Sequence, residues 1–137
     1  MSSAPRGLPR MVPLLLVMGI IYFLSSLPGD RLVLPDIVNI DKVAHMTIYG
    51  LLAAAAFYAV GDRLRRLHPR LVPLLVVLIC TLYGVSDEFH QSFVPNRSPD
   101  VFDVMADSAG AVLVCIISNA CLRKKRSSSC KEGSGRL

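Results

Sequence analysis

The sequence contains no tryptophan, and its 4 tyrosines and 5 phenylalanines leave only a thin aromatic belt for any membrane boundary. No Cys-x-x-Cys pair occurs among Cys80, Cys115, Cys121 and Cys130, which leaves the usual redox and zinc motifs unsupported. Three of these cysteines stand in or beside apolar blocks and read as small buried hydrophobes, with Cys130 a reduced thiol in the tail. There is no His-Glu-x-x-His run and no Ser or Cys nucleophile motif, so the common hydrolase signatures are missing. Internal repeats are absent as well. The formal charge of +5 and the high pI could suggest nucleic acid, but the basic residues flank apolar blocks instead of forming a stripe on a soluble fold. Nucleic acid is therefore not an expected partner.

What the chain has in abundance is apolar length. Of its 137 residues 53% are hydrophobic, and they come in long blocks where a soluble domain would spread them at helix or strand spacing. Four blocks stand out, at 11–27, 43–60, 71–89 and 101–122. At about 1.5 Å rise per residue, each reaches most or all of a hydrocarbon core about 30 Å thick. Only helices satisfy the backbone there, because an open strand would leave its N–H and C=O groups unpaired in lipid. The first block follows Arg6 and Arg10 and resembles a signal peptide, yet it is long for one and no A-x-A site follows, so an uncleaved span is expected. Ala53, Ala54, Ala55 and Ala56 give the second block little bulk and permit close helix approach. The expected fold is an all-α membrane protein, a bundle of four transmembrane helices. Residues 1–10 form a short leading tail, 11–122 the membrane domain, and 123–137 a basic, Ser/Gly-rich tail that reads as disordered.

Charge sets the orientation. The leading tail, the loop GDRLRRLHPR and the trailing tail hold 12 of the 15 basic residues, leaving only Arg31, Lys42 and Arg97 elsewhere. The positive-inside rule places both termini in the cytoplasm. Asp30, Asp36, Asp41, Asp87, Glu88, Asp100, Asp103 and Asp107 then gather at the outer edge.

Three polar groups converge on that edge. Asp41, His45 and Tyr49 are spaced i, i+4, i+8 and drift only about 80° round a helix, so they form one stripe that descends into the membrane, with Lys42 beside it at the interface. Asp87 and Gln91 are i, i+4 neighbours at the end of span three, and Glu88 lies about 100° from Asp87. Pro95 and Pro99 bound a loop whose sole cation is Arg97, after which Asp100, Asp103, Asp107 and Gly110 share an arc of about 80° on span four. An intramembrane carboxylate facing lipid costs several kcal/mol, so Asp107 should face the bundle interior. Gly110 on the same arc would admit another helix. Plainer readings stand beside these. Asp100 and Asp41 suit helix N-caps. The remaining polar residues could simply hold the helices together. His68 reads as solvated in the basic loop, and His90 as interfacial, turned away from the Asp87–Gln91 stripe. Asn96-Arg97-Ser98 matches a glycosylation acceptor, a pattern common by chance.

Taken together, these residues resemble the VanZ-like family. An Asp-Lys-x-x-His-x-x-x-Tyr block is supplied by Asp41, Lys42, His45 and Tyr49, and a Gly-x-x-Asp-Glu-x-x-Gln block by Gly84, Asp87, Glu88 and Gln91. Pro95 and Arg97 give the Pro-x-Arg element, and Asp100, Asp103 and Gly110 the Asp-x-x-Asp and small-residue helix. The order and spacing of four motifs over residues 12–122 is specific, although each alone is weak. The family often has Asn where Asp107 stands, so a neutral hydrogen-bonding role here requires a protonated Asp107. The resemblance implies a multi-pass protein of the bacterial cell membrane with a cell-envelope role. The namesake is associated with resistance to the glycopeptide teicoplanin, while the activity of most members is not established.

Three functions follow as expectations. The first is a non-enzymatic protein binding an envelope lipid, a cell-wall precursor or a glycopeptide at the outward polar cluster of Asp41, Lys42, His45, Tyr49, Asp87, Glu88, Gln91, Arg97, Asp100, Asp103 and Asp107. Arg97 and Lys42 would contact a phosphate or carboxylate. The second is a structural or assembly protein. The third is an enzyme on a lipid-linked substrate, with His45 as acid or base and Asp87 or Glu88 as its partner. No cofactor is expected and no metal site is assigned, although Asp87, Glu88, Asp100 and Asp103 offer oxygen ligands suited to Mg²⁺ or Ca²⁺.

Overall fold

In a computed structural model, residues 8–31 and 38–134 are described, with side chains described as far as Lys124. They form α1 (Leu8–Ser25), a short 3-10 turn at Gly29–Arg31, α2 (Ile40–Leu67), α3 (Leu71–Gln91) and α4 (Val101–Ser134), with no strand among them. Each of the four helices is long and apolar enough to cross a membrane. The protein is an all-α, four-helix membrane bundle. Arg6, Asp36 and the tail side chains beyond Lys124 lie outside the described residues.

Three helices outrun their expected spans. Ile40–Leu67 takes in most of the arginine-rich segment read as a loop, because Arg is a good helix former and no proline intervenes before Pro69. The expected end of span two survives as a break within α2. Gly61 has φ 77° and ψ 159°, a conformation outside the helix that favours glycine. Helix α3 runs two residues past Phe89, to Gln91, and α4 continues as backbone to Ser134, beyond the expected end at Leu122, since no proline follows it.

The tightest seam joins α2 to α4. Gly50 faces Val114 and Gly110, and a Cβ on Gly110 would collide with the Met46 carbonyl, so the two backbones touch. Without a hydrophobic drive between helices in lipid, such close packing is what associates them. Tyr49, Leu52, Ala53, Phe57, Val76, Cys80, Ala111 and Cys115 fill the core. Interhelical hydrogen bonds add to it. Thr81 Oγ1 and Ser108 Oγ lie 2.9 Å apart between α3 and α4, and the Tyr83 hydroxyl donates to the Met18 carbonyl at 2.9 Å across α1 and α3. Helix α1 is fixed mainly at its carboxyl end. There His90 stacks on Tyr22 with ring centroids 4.9 Å apart and reaches Ser26 Oγ at 3.1 Å. The loop after α1 is pinned to the α3–α4 loop by the Gly29 N–H donating to the Pro95 carbonyl at 3.2 Å.

Candidate functional site

The carboxyl ends of α1 and α3 and the amino ends of α2 and α4 meet at one end of the bundle, and the expected cluster of Asp41, Lys42, His45, Tyr49, Asp87, Glu88, Gln91, Arg97, Asp100, Asp103 and Asp107 stands there, while His68 ends α2 on the opposite side. The stripe on α2 forms largely as expected. His45 points inward and Tyr49 is fully buried one turn deeper, its ring 6.5 Å from the imidazole and 6.3 Å from Tyr83. Asp41 is not the helix cap. Asn39, with φ 62°, precedes the first turn without a side-chain cap bond, and the Asp41 carboxylate turns to Lys42 at 2.8 Å.

Lys42 is the hub of the rim. Its ammonium donates to Asp41 Oδ2, Asp100 Oδ2 and Asp103 Oδ1 at 2.8, 2.7 and 2.8 Å, binding α2 to the start of α4. Asp100 does cap α4 as expected, accepting the Phe102 N–H on Oδ1 at 2.8 Å. The Lys42 ammonium first, and this N–H after it, hold the Asp100 carboxyl below the usual carboxylate range.

The α3 acids are fixed by neutral donors. Ser25 Oγ donates to Asp87 Oδ1 at 2.5 Å, and Gln91 Nε2 donates to Asp87 Oδ2 at 3.1 Å and to Glu88 Oε1 at 3.2 Å. Glu88 Oε2 accepts the Asp100 N–H at 2.8 Å, so a buried carboxylate holds the amino end of α4. Arg97 meets no carboxylate. Its Nε and Nη2 donate to the Leu27 and Leu24 carbonyls at 3.3 and 3.1 Å, and its Nη1 to Gln91 Oε1 at 3.2 Å. A cation at the carboxyl end of α1 is favourably placed against that helix's dipole.

At the floor, Asp107 is completely buried, facing the interior as its cost in lipid demands. Its Oδ1 lies 3.0 Å from His45 Nδ1, and its Oδ2 has no partner. Gly84 makes room for it, since a Cβ there would stand 2.6 Å from Oδ2. His45 Nε2 lies 3.9 Å from Asp103 Oδ2. The expected acid/base pairing is thus corrected. The partner in contact with His45 is Asp107, because Asp87 is held by Ser25 and Gln91; Glu88 stands nearby without bonding the imidazole. The expected oxygen ligand set also changes. Among the described residues, His45, Glu88 and Asp103 place one ligand atom each within 4.8 Å of one another, and could hold a metal ion.

A cavity of about 360 Å³ opens over this floor. Ile21, Leu24 and Ile48 give it an apolar wall, and Asp41, His45, Tyr49, Asp87, Gln91, Arg97 and Asp103 a polar one. The Tyr49 hydroxyl is buried with no partner. Ser25 and Ser98 also line it; in the sequence Ser98 stands out only within the Asn96-Arg97-Ser98 triplet, and Ser25 not at all. Ser25 left one faint signal, a hydroxyl beside Ser26 at the carboxyl end of an apolar span. Lys42, Glu88, Asp100 and Asp107 stand behind or beside the lining.

The fold and site define a polytopic membrane protein with a buried Asp–His pair beneath an amphipathic cavity. Its family can be given directly: the chain belongs to the VanZ/LLP1 family, whose model matches residues 10–122. A protein of the fission yeast Schizosaccharomyces pombe, described as "Uncharacterized protein C11E3.10", is 33% identical over 108 residues. That match covers 78% of this chain and 62% of the yeast protein, so the chain spans less than two thirds of its relative's length. No solved structure matches.

Proposed function

We propose that the protein binds an amphiphilic lipid of the cell envelope in this cavity, from the extracytoplasmic leaflet, with the acyl chain against Ile21, Leu24 and Ile48. The observation that carries the reading is a single cavity joining an apolar wall to a floor of carboxylates inside a membrane bundle. The expected anion contact is revised. Lys42 is already matched by three carboxylates and Arg97 by carbonyl oxygens, so the headgroup that suits the lining brings donors, either hydroxyls or an amine. The unpartnered Tyr49 hydroxyl favours a headgroup hydroxyl, which can donate to the carboxylates and accept the phenol O–H, since a buried polar group without a partner is costly. The arginine-rich ends support an orientation with both termini in the cytoplasm. In a bacterial envelope, the setting this reading adopts, a cell-wall precursor or a glycopeptide of the teicoplanin class would be the candidate ligands.

Native mass spectrometry of the detergent-purified chain against glycolipids, aminolipids and phosphatidylcholine tests the proposal. Selective retention of the hydroxyl- or amine-bearing lipids is expected, with loss on Ala44→Trp, which fills the cavity from its rim. Equal retention of all classes, or binding unaffected by Ala44→Trp, defeats it.

A second reading, an enzyme on a lipid-linked substrate, is favoured by the His45–Asp107 contact. A buried carboxylate on Nδ1 fixes the imidazole tautomer and turns Nε2 towards Asp103 and the cavity, as in general bases and metal-bound histidines. Metal analysis of the purified protein, and turnover before and after EDTA, separate the metal-dependent version from a purely acid–base one. A His45→Gln variant that keeps full turnover removes both.

A further inference from the structure

We infer that the opposite, basic end of the bundle carries a separate site for a phosphate oxyanion, built by Arg10 of α1 and Arg65 of α2. A cavity of about 260 Å³ lies between them, with Tyr58, Gly61, Asp62 and Ser118 in its lining. The Nε atoms of both arginines are buried and have no hydrogen-bond partner. Aromatic faces hold both guanidiniums, that of Arg10 lying 5.7 Å from the Tyr58 centroid and that of Arg65 4.8 Å from that of Phe57. Among the described residues the one ion pair there is Arg65 Nη1 with Asp62 Oδ1 at 3.2 Å, and the Asp62 side chain is 56% exposed. Arg10 has no acceptor among the described residues. Two guanidiniums against one solvated carboxylate leave the cavity cationic, with buried N–H groups still to be satisfied.

The backbone is shaped around this arrangement. The Arg10 guanidinium fills the space that a Cβ at residue 61 would occupy, and Gly61 is the residue at which α2 leaves helical geometry. A second cavity, of about 380 Å³, shares Arg65 and adds Arg66, Arg70 and Arg123, so the cationic field continues past the pocket. Orientation in the membrane requires only positive charge. It does not require paired guanidiniums with buried unsatisfied nitrogens. Planar guanidinium forks match phosphate oxygens two at a time, which an ammonium does not do. Basic pockets between helices at the cytoplasmic boundary are suited to lipid headgroups. The chemistry fits a phosphate oxyanion, and a phospholipid headgroup or a free phosphate could both supply it.

The test uses the full chain in nanodiscs of phosphatidylcholine alone and of phosphatidylcholine with phosphatidylglycerol, with lipid retained after extraction read by native mass spectrometry. A parallel titration with inorganic phosphate follows the thermal midpoint. Wild type should enrich phosphatidylglycerol about tenfold over phosphatidylcholine, and the Arg10→Lys/Arg65→Lys variant should lose that enrichment with its charge and orientation intact. Ser118→Leu, which narrows the cavity and keeps both arginines, should lose it too. Enrichment of the lipid without a shift from phosphate identifies the headgroup as the ligand; a shift from phosphate without lipid enrichment identifies the free anion. Neither response in wild type, or full enrichment retained by the double lysine variant, overturns the inference.

Discussion

Replacing Tyr49 with phenylalanine should stabilise the ligand-free protein. Tyr49 is fully buried, and its hydroxyl has neither a protein partner nor access to solvent. The ring is well used, packed between His45 and Tyr83. Tyr49→Phe keeps that packing and removes only the oxygen. An unsatisfied buried polar group costs about 1–3 kcal/mol, so its deletion should return a gain of that order. One kcal/mol corresponds to roughly 2–8 °C in thermal midpoint for domains near this size. Tyr49→Ala serves as the contrast, because emptying an aromatic core position costs about 3–5 kcal/mol. The assay is thermal or denaturant unfolding of detergent-purified protein, stripped of co-purifying lipid. If the hydroxyl is kept for a ligand, Tyr49→Phe gains stability in the stripped protein and loses affinity for the lipid that wild type retains. A destabilisation of about 1 kcal/mol or more would show that the hydroxyl is already bonded in the free protein, and the argument from an unmet donor would fail.

The α2–α4 seam gives a second expectation. Gly110→Val forces the backbones apart at Met46, at a cost of about 1–3 kcal/mol for overpacking, and should weaken the His45–Asp107 contact one turn away; unfolding and the imidazole NMR shift report both effects. Asp100→Asn should destabilise at neutral pH. The folded carboxyl is held below its ordinary value of 3.8, so its contribution is complete above that value and fades as pH falls through its own lower one. The stability gap between wild type and Asp100→Asn should therefore close on acidification below 3.8, and a gap independent of pH would assign the effect to shape. Ser25→Ala leaves the buried Asp87 without one of its two donors and should cost about 1–3 kcal/mol, measured by the same unfolding assay.

The spans were legible because bilayer thickness writes a length requirement into the sequence, and four long, predominantly apolar runs meet it. The inward direction of Asp107 and the close approach at Gly110 were legible for the same reason, since both follow from what lipid penalises or lacks. The hydrogen-bond partners were not. Helical spacing put Asp41 and His45 on one stripe, but nothing in the spacing showed that Lys42 would tie Asp41 to Asp100 and Asp103 across helices. Arg97 was expected to meet a ligand anion because guanidinium pairs with phosphate and carboxylate; that its forks also reach the Leu24 and Leu27 carbonyls could not be read from side-chain chemistry, since any sequence would supply them. The Gly61 break was hidden by arginines that continue the helix where charge alone suggested a loop.

The second and fourth helices touch backbone to backbone, and this has a bearing on biogenesis. A nascent chain that has inserted three segments already carries His45, Asp87 and Glu88, yet lacks Asp103, Asp107 and the cap at Asp100. Those ionisable groups must wait at the translocon or the water boundary until the fourth helix arrives. Assembly of the site therefore follows insertion of that helix, and truncations before Gly110 should be recognised by quality-control proteases as unfinished.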